Sequence, residues 1–166
     1  MEFETLSKHH ASKLLEFELK NRKWFEAYID PRASSFYSKN GVEEHIDSLI
    51  SEANAGTAFC GVLLKHEIIV ARANLKNISN CSAYVGYRVG EDFTSQGVAS
   101  YCLAQLIDIA KDKLNLKQLN AQVLNNNPAS MHILRKFGFK AIGTTDNFLS
   151  FNGKKLSCTE LVLKYA

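Results

Sequence analysis

The hydrophobic pattern divides the chain into an N-terminal helical part and a longer part in which strands and helices alternate. A short strand around Phe3 leads into a helix that Ser7 is suited to cap. The stretch from Arg32 to Gly41 has no regular period, and a second helix is predicted from about Val42 to Ala53. The apolar positions of the two helices are Leu14, Leu15, Phe17 and Leu19 in the first, and Ile46, Leu49 and Ile50 in the second.

From about residue 57 the period changes to the alternation of strands. The predicted elements are strands over 57–64 and 67–75 joined by a turn near Lys65-His66, a strand over 82–89, a helix over 98–114 and a strand over 119–124. The clearest helix follows, with Asn127 as N-cap, Pro128 in the first position and Gly138 just past its end. Strands over 139–145 and 156–163 then flank Asn152-Gly153, the strongest hairpin signal in the chain.

Composition narrows the class of protein. The 166 residues, 46% of them hydrophobic, predict a single domain over 1–166 with a proper core. A net charge of +3 without a dense Lys/Arg run argues against a nucleic-acid binder, whose affinity would fall steeply with salt. The start carries no signal peptide and no apolar run is long enough to span a membrane, so we expect a cytoplasmic protein.

The cysteines and histidines do not predict a metal site. Cys60, Cys81, Cys102 and Cys158 are widely scattered and form no C-x-x-C pair, which predicts reduced and mostly buried thiols. His9 and His10 are adjacent and are expected to point to different faces of a helix. We therefore predict no metal.

Two segments have the composition of a ligand site. In the first, a strand ending at Val89 leads through a polar loop into a helix that begins within residues 95–100, Ser-Gln-Gly-Val-Ala-Ser. Small residues let a ligand approach the backbone, and the unpaired N–H groups of a helix start favour a phosphate. The second segment is the helix from Asn127 to Phe139. Taken singly, a simple turn and a structural amphipathic helix explain these two segments better.

The two segments in this order and spacing resemble the GNAT acetyltransferase superfamily, and within it the Rim-type ribosomal-protein N-acetyltransferases. The family's loop Gln/Arg-x-x-Gly-x-Gly/Ala is matched from Thr94 to Ala99, where Gly97 and Ala99 fit, Thr94 departs from the pattern and Ser95 replaces a frequent Gly. The later signature is matched by Asn127, Ser130, Gly138 and Phe139. Residues 84–90 and 21–25 are similar to the family's strand before the loop and to an early Asn-Arg-x-Phe segment.

The resemblance implies an α/β (α+β) fold: a mixed, mostly antiparallel sheet of about seven strands, flanked by about four helices, with a V-shaped splay between the two central strands. It also implies an N-acetyltransferase that moves acetyl from acetyl-coenzyme A (acetyl-CoA) to a primary amine, either a peptide N-terminus or a small amine. A non-catalytic coenzyme A-binding or partner-binding module on the same fold stays open, because Leu134 stands where many members have an acidic tyrosine. A homodimer is plausible by family analogy alone.

The resemblance assigns roles to individual residues. Ser130 would stabilise the departing thiolate, and Asn127 would bind the cofactor or orient Ser130. A free N–H near Val89 would bind the oxyanion. The implied cofactor contacts are Tyr87, Arg88 and Val89 for the pantetheine arm, Ser95, Gln96, Gly97, Val98, Ala99 and Ser100 for the pyrophosphate, and Asn127.

Other parts of the site are less defined by the resemblance. The family's acceptor cleft would include Trp24, Tyr28 and Tyr37. Arg135, Lys136 and Lys140 are candidates for the 3′-phosphate, with a solvated helix face as the simpler explanation, and we retain Lys136. Glu26, Asp30 and Glu160 are candidate bases, each individually more typical of a surface charge.

Overall fold

The computed structural model describes residues 1–165 and contains a seven-stranded sheet with helices on both faces. Its strands are β1 Glu2–Thr5, β2 Phe59–Lys65, β3 Ile68–Ser79, β4 Ser82–Val89, β5 Gln118–Leu124, β6 Lys140–Phe151 and β7 Lys154–Lys164. Its helices are α1 Ala11–Lys20, α2 Arg22–Glu26, α3 Lys39–Asn54, α4 Val98–Asp108, continued by a π-helical turn Ile109–Lys113, and α5 Pro128–Lys136. Single 3₁₀ turns occupy Lys8–His10, Ser34–Phe36 and Glu91–Phe93.

The strand order β1-β2-β3-β4-β5-β7-β6 leaves one parallel contact at the centre of the sheet. β4 and β5 pair only from Ser82 to Tyr84 and from Gln118 to Asn120, although β4 continues to Val89 and β5 to Leu124. Beyond this short ladder the two strands separate. The mixed, mostly antiparallel sheet and its predicted V-shaped splay are therefore confirmed, with five α-helices in place of about four.

Two apolar cores lie on opposite faces of the sheet because successive strand residues alternate between faces. In β2, Val62 and Leu64 belong to the core under α1 and α3, whereas Leu63 belongs to the core under α4 and α5. Leu14, Ile46, Leu103 and Leu106 from these helices are fully buried. Burial of one such side chain stabilises the fold by about 1.5–3 kcal/mol, which fixes both helix layers on the sheet.

Local chemistry accounts for where the helices begin. Ser38 accepts a hydrogen bond from the Gly41 N–H at 3.0 Å, so α3 begins at Lys39, earlier than the predicted Val42. In α1 the apolar positions Leu14 and Phe17 are buried, whereas Leu19 is 49% exposed. Its neighbour Glu18 is only 1% exposed and forms ion pairs with arginines of the sheet. This ion pairing allows a charged residue to lie on the buried face of α1.

The turns that join the strands match their sequence signals. Asn152 and Gly153 have φ of 49° and 75°, the left-handed pair that a two-residue hairpin turn requires. β6 is longer than predicted because it pairs with β7 up to this turn, with register shifts that its local pattern does not reveal. All four cysteines are free, and only Cys81 is exposed. Over residues 1–165, no helix combines the length and apolar character needed to cross a membrane.

Candidate active site

A cavity of about 540 Å³ opens where β4 and β5 separate. The end of β4, the loop after it, the start of α4, the start of α5 and the helix α2 form its walls. Of the residues predicted for the site, the cavity is lined by Trp24, Tyr28, Tyr87, Arg88, Val89, Ser95, Gly97, Val98, Ala99, Ser100, Asn127 and Ser130. The fold thus brings most of the sequence-predicted residues to one place.

One wall presents a row of unpaired backbone N–H groups. The loop before α4 passes through left-handed backbone at Ser95 and Gly97, with φ of 58° and 78°. The first hydrogen bond of α4 runs from the Tyr101 N–H to the Gly97 carbonyl at 3.0 Å. The N–H groups of residues 95–100 meet no acceptor within the described part of the chain. Such a row at a helix start, where the dipole is positive, is suited to bind an anion.

Open space at Gly97 makes this row accessible. A Cβ added there would have no heavy atom of the described residues within 4 Å, so an anion can approach the backbone closely. Gln96 does not line the cavity, and its side chain donates to the Asp92 carbonyl at 2.8 Å, which ties it to its own loop. The contribution predicted for Gln96 is therefore restricted to its backbone.

The free edge of β4 forms a second wall. Gly90 donates its N–H to the Val70 carbonyl at 2.9 Å, so alternation along an antiparallel ladder turns the N–H and C=O of Val89 away from β3. The Val89 carbonyl instead accepts from Nε1 of Trp24 at 3.2 Å. Its N–H faces the same opening and has no acceptor among the residues described. This edge is suited to pair with an extended ligand.

Two hydroxyl groups meet beside this edge. Ser130 lies in the first turn of α5, where its N–H donates to Oδ1 of the N-cap Asn127 at 3.2 Å. Its Oγ is 2.9 Å from the Tyr87 hydroxyl oxygen of β4. Burial raises the pKa of Tyr87, and the hydrogen bond to Ser130 opposes that rise. Both hydroxyls therefore stay protonated at neutral pH and can donate hydrogen bonds.

Tyr87 has a role that the sequence did not indicate. Tyr87 was predicted only as a strand-edge contact for the cofactor. In the structure its hydroxyl group also forms a hydrogen bond with the Ser130 hydroxyl. Leu134, where the family resemblance led us to look for a tyrosine, is only 2% exposed and belongs to the core. The alternation of β4, which places Tyr87 and Val89 on one face, was the only sequence signal for this hydroxyl.

At its far end the cavity is aromatic and carries one cation. Trp24 and Tyr28 meet edge to face with ring centroids 5.3 Å apart, and Phe25 and Ile29 complete that wall. The Arg88 guanidinium lies 4.6 Å from the centroid of the Phe25 ring. Burial lowers the pKa of Arg88 to about 10, although Glu18 opposes the shift, so the side chain remains a cation.

The structure does not bring every predicted residue to the cavity. Tyr37 lies outside its lining, and its ring is 4.1 Å from the Arg22 guanidinium carbon. Lys136 is exposed at the end of α5. The candidate bases Glu26, Asp30 and Glu160 also lie outside the lining. Glu26 pairs with Arg22 at 3.0 Å, and Glu160 accepts from Gln122. Within the described residues, the cavity has no carboxylate in its wall.

A group of three metal-ligand types lies at the other edge of the sheet. The rings of His9 and His10 are 4.0 Å apart and converge on Glu4, so the expectation that they point to different faces is wrong. However, Nδ1 of His10 accepts from the Ser7 N–H at 3.0 Å, while Nε2 is 2.8 Å from Glu4. A neutral ring that accepts at Nδ1 carries its proton on Nε2 and has no lone pair left for a metal. The cluster is therefore a cap of the first turn.

Comparisons with known proteins agree with this geometry. The Probable N-acetyltransferase YjcK of Bacillus subtilis (strain 168) is 24% identical over 148 residues, which are 86% of this chain and 82% of that protein. The structure of ribosomal-protein-S5-alanine acetyltransferase from Vibrio fischeri has a TM-score of 0.91, with 18% identity over 98% of this chain and 91% of the other. Mycobacterium smegmatis RimJ in complex with CoA-disulfide has a TM-score of 0.88, with 19% identity over 98% and 80%.

The Rim-type resemblance seen in the sequence is thus confirmed at the level of fold. The model of the family "Acetyltransferase (GNAT) domain" matches residues 1–140, most of the chain. That stretch includes the loop before α4, the splayed strands and Ser130. The chain belongs to the GNAT acetyltransferase family.

Proposed function

We propose that this N-acetyltransferase moves the acetyl group of acetyl-CoA to the α-amine of a peptide N-terminus. The observation that carries the proposal is the row of free N–H groups from Ser95 to Ser100, which opens into the same cavity as the Ser130 and Tyr87 hydroxyls. An anion cradle and a hydrogen-bonding pair within one cavity suit a long ligand with a phosphate at one end and a reactive group at the other.

The residues present fit coenzyme A. The free N–H groups and the open space at Gly97 support a pyrophosphate at the start of α4. The outward-facing carbonyl of Val89 supports strand-like pairing of the pantetheine arm with β4. In this placement the Val89 carbonyl accepts a hydrogen bond from a pantetheine amide in place of Trp24. The Trp24 indole therefore changes position when the ligand binds. The side chains of Lys136 and Gln96 lie outside the cavity lining, so Gln96 would contribute through its backbone N–H alone.

The proposed reaction is a direct transfer. The amine nitrogen forms a bond to the thioester carbon, the C–S bond breaks, the electron pair leaves on sulfur, and the amine proton goes to water. Water is the proton acceptor in this proposal, because the cavity wall holds no carboxylate within the described residues. The Val89 N–H stabilises the oxyanion, and Ser130 donates to the departing sulfur with Tyr87 behind it. A thiol pKa of about 8.5 makes this thiolate a good leaving group that needs little acid.

Similar proteins support the peptide N-terminus as the acceptor. The Vibrio fischeri relative in fold is a ribosomal-protein-S5-alanine acetyltransferase, and another is the ribosomal L7/L12 alpha-N-protein acetyltransferase RimL, at 20% identity and a TM-score of 0.87. The aromatic end of the cavity, with Tyr28 and Ile29 more than one-third exposed, offers apolar surface to a short peptide. A small free amine is the second acceptor class to be screened.

The test is release of free thiol from acetyl-CoA with a panel of peptides and small amines. Ser130→Ala should lower kcat at least about tenfold with little change in cofactor affinity, because a hydrogen bond to the departing sulfur is lost. Ser48→Ala, an exposed serine of α3, makes the same chemical change outside the cavity and should keep full activity. Full activity of Ser130→Ala would contradict the assigned role. Mass spectrometry of the product distinguishes the α-amine from a lysine side chain.

A further inference from the structure

Two arginines lie directly opposite one another on the α1 and α3 face of the sheet. Arg72 of β3 pairs in register with Arg88 of β4, an arrangement in which like charges repel. Glu18 of α1 lies between them: its Oε1 accepts from Arg72 at 2.7 Å and its Oε2 is 3.3 Å from Arg88. One buried carboxylate therefore serves a buried guanidinium, that of Arg72, and a partly buried one, that of Arg88, and both of its oxygens are engaged.

Further cations around this pair leave a surplus of positive charge. The Arg32 guanidinium carbon is 4.4 Å from the centroid of the Phe36 ring, and its buried Nε has no hydrogen-bond partner among residues 1–165. Nε2 of His45 is 2.9 Å from the Arg72 guanidinium and therefore accepts from it as a neutral ring. With the Arg22–Glu26 pair included, the cluster holds four guanidinium groups, Arg22, Arg32, Arg72 and Arg88, and two carboxylates, Glu18 and Glu26.

The surplus charge is next to the aromatic end of the cavity, where the acceptor amine is proposed to bind, and which is called the acceptor end below. Arg88 belongs to both the cluster and the cavity wall, together with Phe25, on which its guanidinium lies. The anion cradle before α4 belongs to the other face of the sheet, toward which Tyr87 points. A diphosphate bound in that cradle therefore does not neutralise the arginines. An anion at the acceptor end would do so, and a partly buried guanidinium gains most from a carboxylate partner.

We propose that the acceptor amine carries a carboxylate, which Arg88 binds and the charge of Arg32 behind it attracts, while the amine faces the thioester. The inference rests on the proposed function and narrows its substrate class to anionic amines. Two sources share this chemistry: an acidic side chain next to a peptide N-terminus, and the α-carboxylate of a free amino acid. Cationic amines are disfavoured by the same charges.

The test compares acceptors that differ in one charge. A short peptide with glutamate as its second residue is matched with its glutamine twin, and free alanine is matched with alaninamide. We expect kcat/KM to be at least about tenfold higher for the carboxylate member of one pair, and this advantage to shrink as salt rises. The pair that shows the advantage identifies the source of the carboxylate.

The outcomes separate the two proposals. Equal rates within both pairs, or faster turnover of the amides, would overturn the anionic acceptor and leave the acetyltransferase intact. If acetyl-CoA binds and no amine of any charge is acetylated, the proposed function fails, and the acceptor inference fails with it.

A variant tests the cluster itself. Arg32→Gln removes one cation while Glu18 keeps both of its partners, so the carboxylate-to-amide ratio of kcat/KM should fall about tenfold. Arg32→Lys restores the charge and should recover part of the ratio. Lys113→Gln changes net charge equally on an exposed residue beyond α4 and should leave the ratio unaltered. An unaltered ratio in folded Arg32→Gln contradicts the inference. If that variant does not fold, the matched acceptors still decide.

Discussion

At the scale of single residues, Gly97 controls access to the backbone that the proposed chemistry requires. Its φ of 78° allows the loop to enter α4 with six consecutive N–H groups that have no acceptor among residues 1–165, and none of these residues places a heavy atom within 4 Å of a Cβ added at Gly97. A residue with a Cβ meets two separate penalties here. It strains the left-handed backbone, and its methyl group occupies the space where an anion approaches.

Gly97→Ala should therefore destabilise the protein by about 1 kcal/mol and weaken acetyl-CoA binding at least about tenfold. Gly56→Ala is a matched control, because Gly56 has a φ of 77° and equally open surroundings outside the cavity. Both variants should lose similar stability in urea unfolding, and only Gly97→Ala should lose affinity in calorimetry. Equal affinity in both variants would contradict the anion cradle.

A second prediction at this scale concerns His45. Burial, followed by the charges of Arg72 and Arg32, lowers the pKa of His45 from 6.5 to about 4. Between these two values the unfolded chain binds a proton that the folded protein rejects, so stability falls as pH decreases from 6.5 to 4. After discounting for solvent screening, the loss is about 1–2 kcal/mol.

Urea unfolding at a series of pH values measures this loss. His45→Gln keeps an acceptor for Arg72 but cannot titrate, so the difference in stability between the two proteins should change over this pH window and level off below it. The acidic residues titrate in both proteins and cancel in the comparison. A constant difference between pH 7 and pH 4 would mean that folding does not shift the pKa of His45.

Residue types and spacing predicted much of the site but not its pairings. Ser130, Asn127 and residues 95–100 were identified from two motifs, because caps and helix starts act through neighbours in sequence. The Tyr87 contact with Ser130 spans 43 positions, and Glu18 reaches Arg88 across 70. Such contacts depend on how helices cross the sheet, which local periodicity does not encode. Tyr37 was placed in the acceptor cleft by analogy and lies beyond its wall.

At the scale of elements, the cap of α5 links helix formation to the position of Ser130. Asn127 accepts from the Ser130 N–H, so the same hydrogen bond begins the helix and holds the serine beside β4. Asn127→Ala should cost about 1 kcal/mol of stability and lower kcat. Ser38→Ala removes the equivalent cap of α3, which lies outside the cavity, and should cost similar stability without loss of kcat. Equal kcat values in the two variants would contradict this linkage.

Elements with strong local signals were predicted well. β4 was predicted with the bounds observed, and the capping residues of α5 were recognised. α2 was missed because five residues are too few to show a helical period. The splay between β4 and β5 was expected only from the family resemblance. Its physical cause is a parallel ladder of three residue pairs, after which the strands follow different neighbours.

At the scale of the whole molecule, the proposed ligand bridges both halves of the sheet and should stabilise them together. β1 to β4 and β5 to β7 are joined at the centre by the short β4–β5 ladder, while the cavity wall draws on the end of β4 in the first group, on α5, which follows β5, in the second, and on α2. A ligand in this opening supplies contacts that the separated strands cannot make with each other. At a hundredfold excess over its dissociation constant, the expected gain in stability is about 2.7 kcal/mol.

The sole tryptophan should report the same event. Trp24 lines the cavity and donates its indole N–H to Val89, the carbonyl that strand-like pairing of pantetheine would require. Because the indole must release this bond when the arm pairs with β4, acetyl-CoA should change the fluorescence of Trp24 in a saturable manner. Gly97→Ala should shift the midpoint to a higher ligand concentration. Free tryptophan titrated in parallel corrects for absorption by the adenine. Constant corrected fluorescence, while calorimetry records saturation, would mean that the ligand binds without pairing to β4.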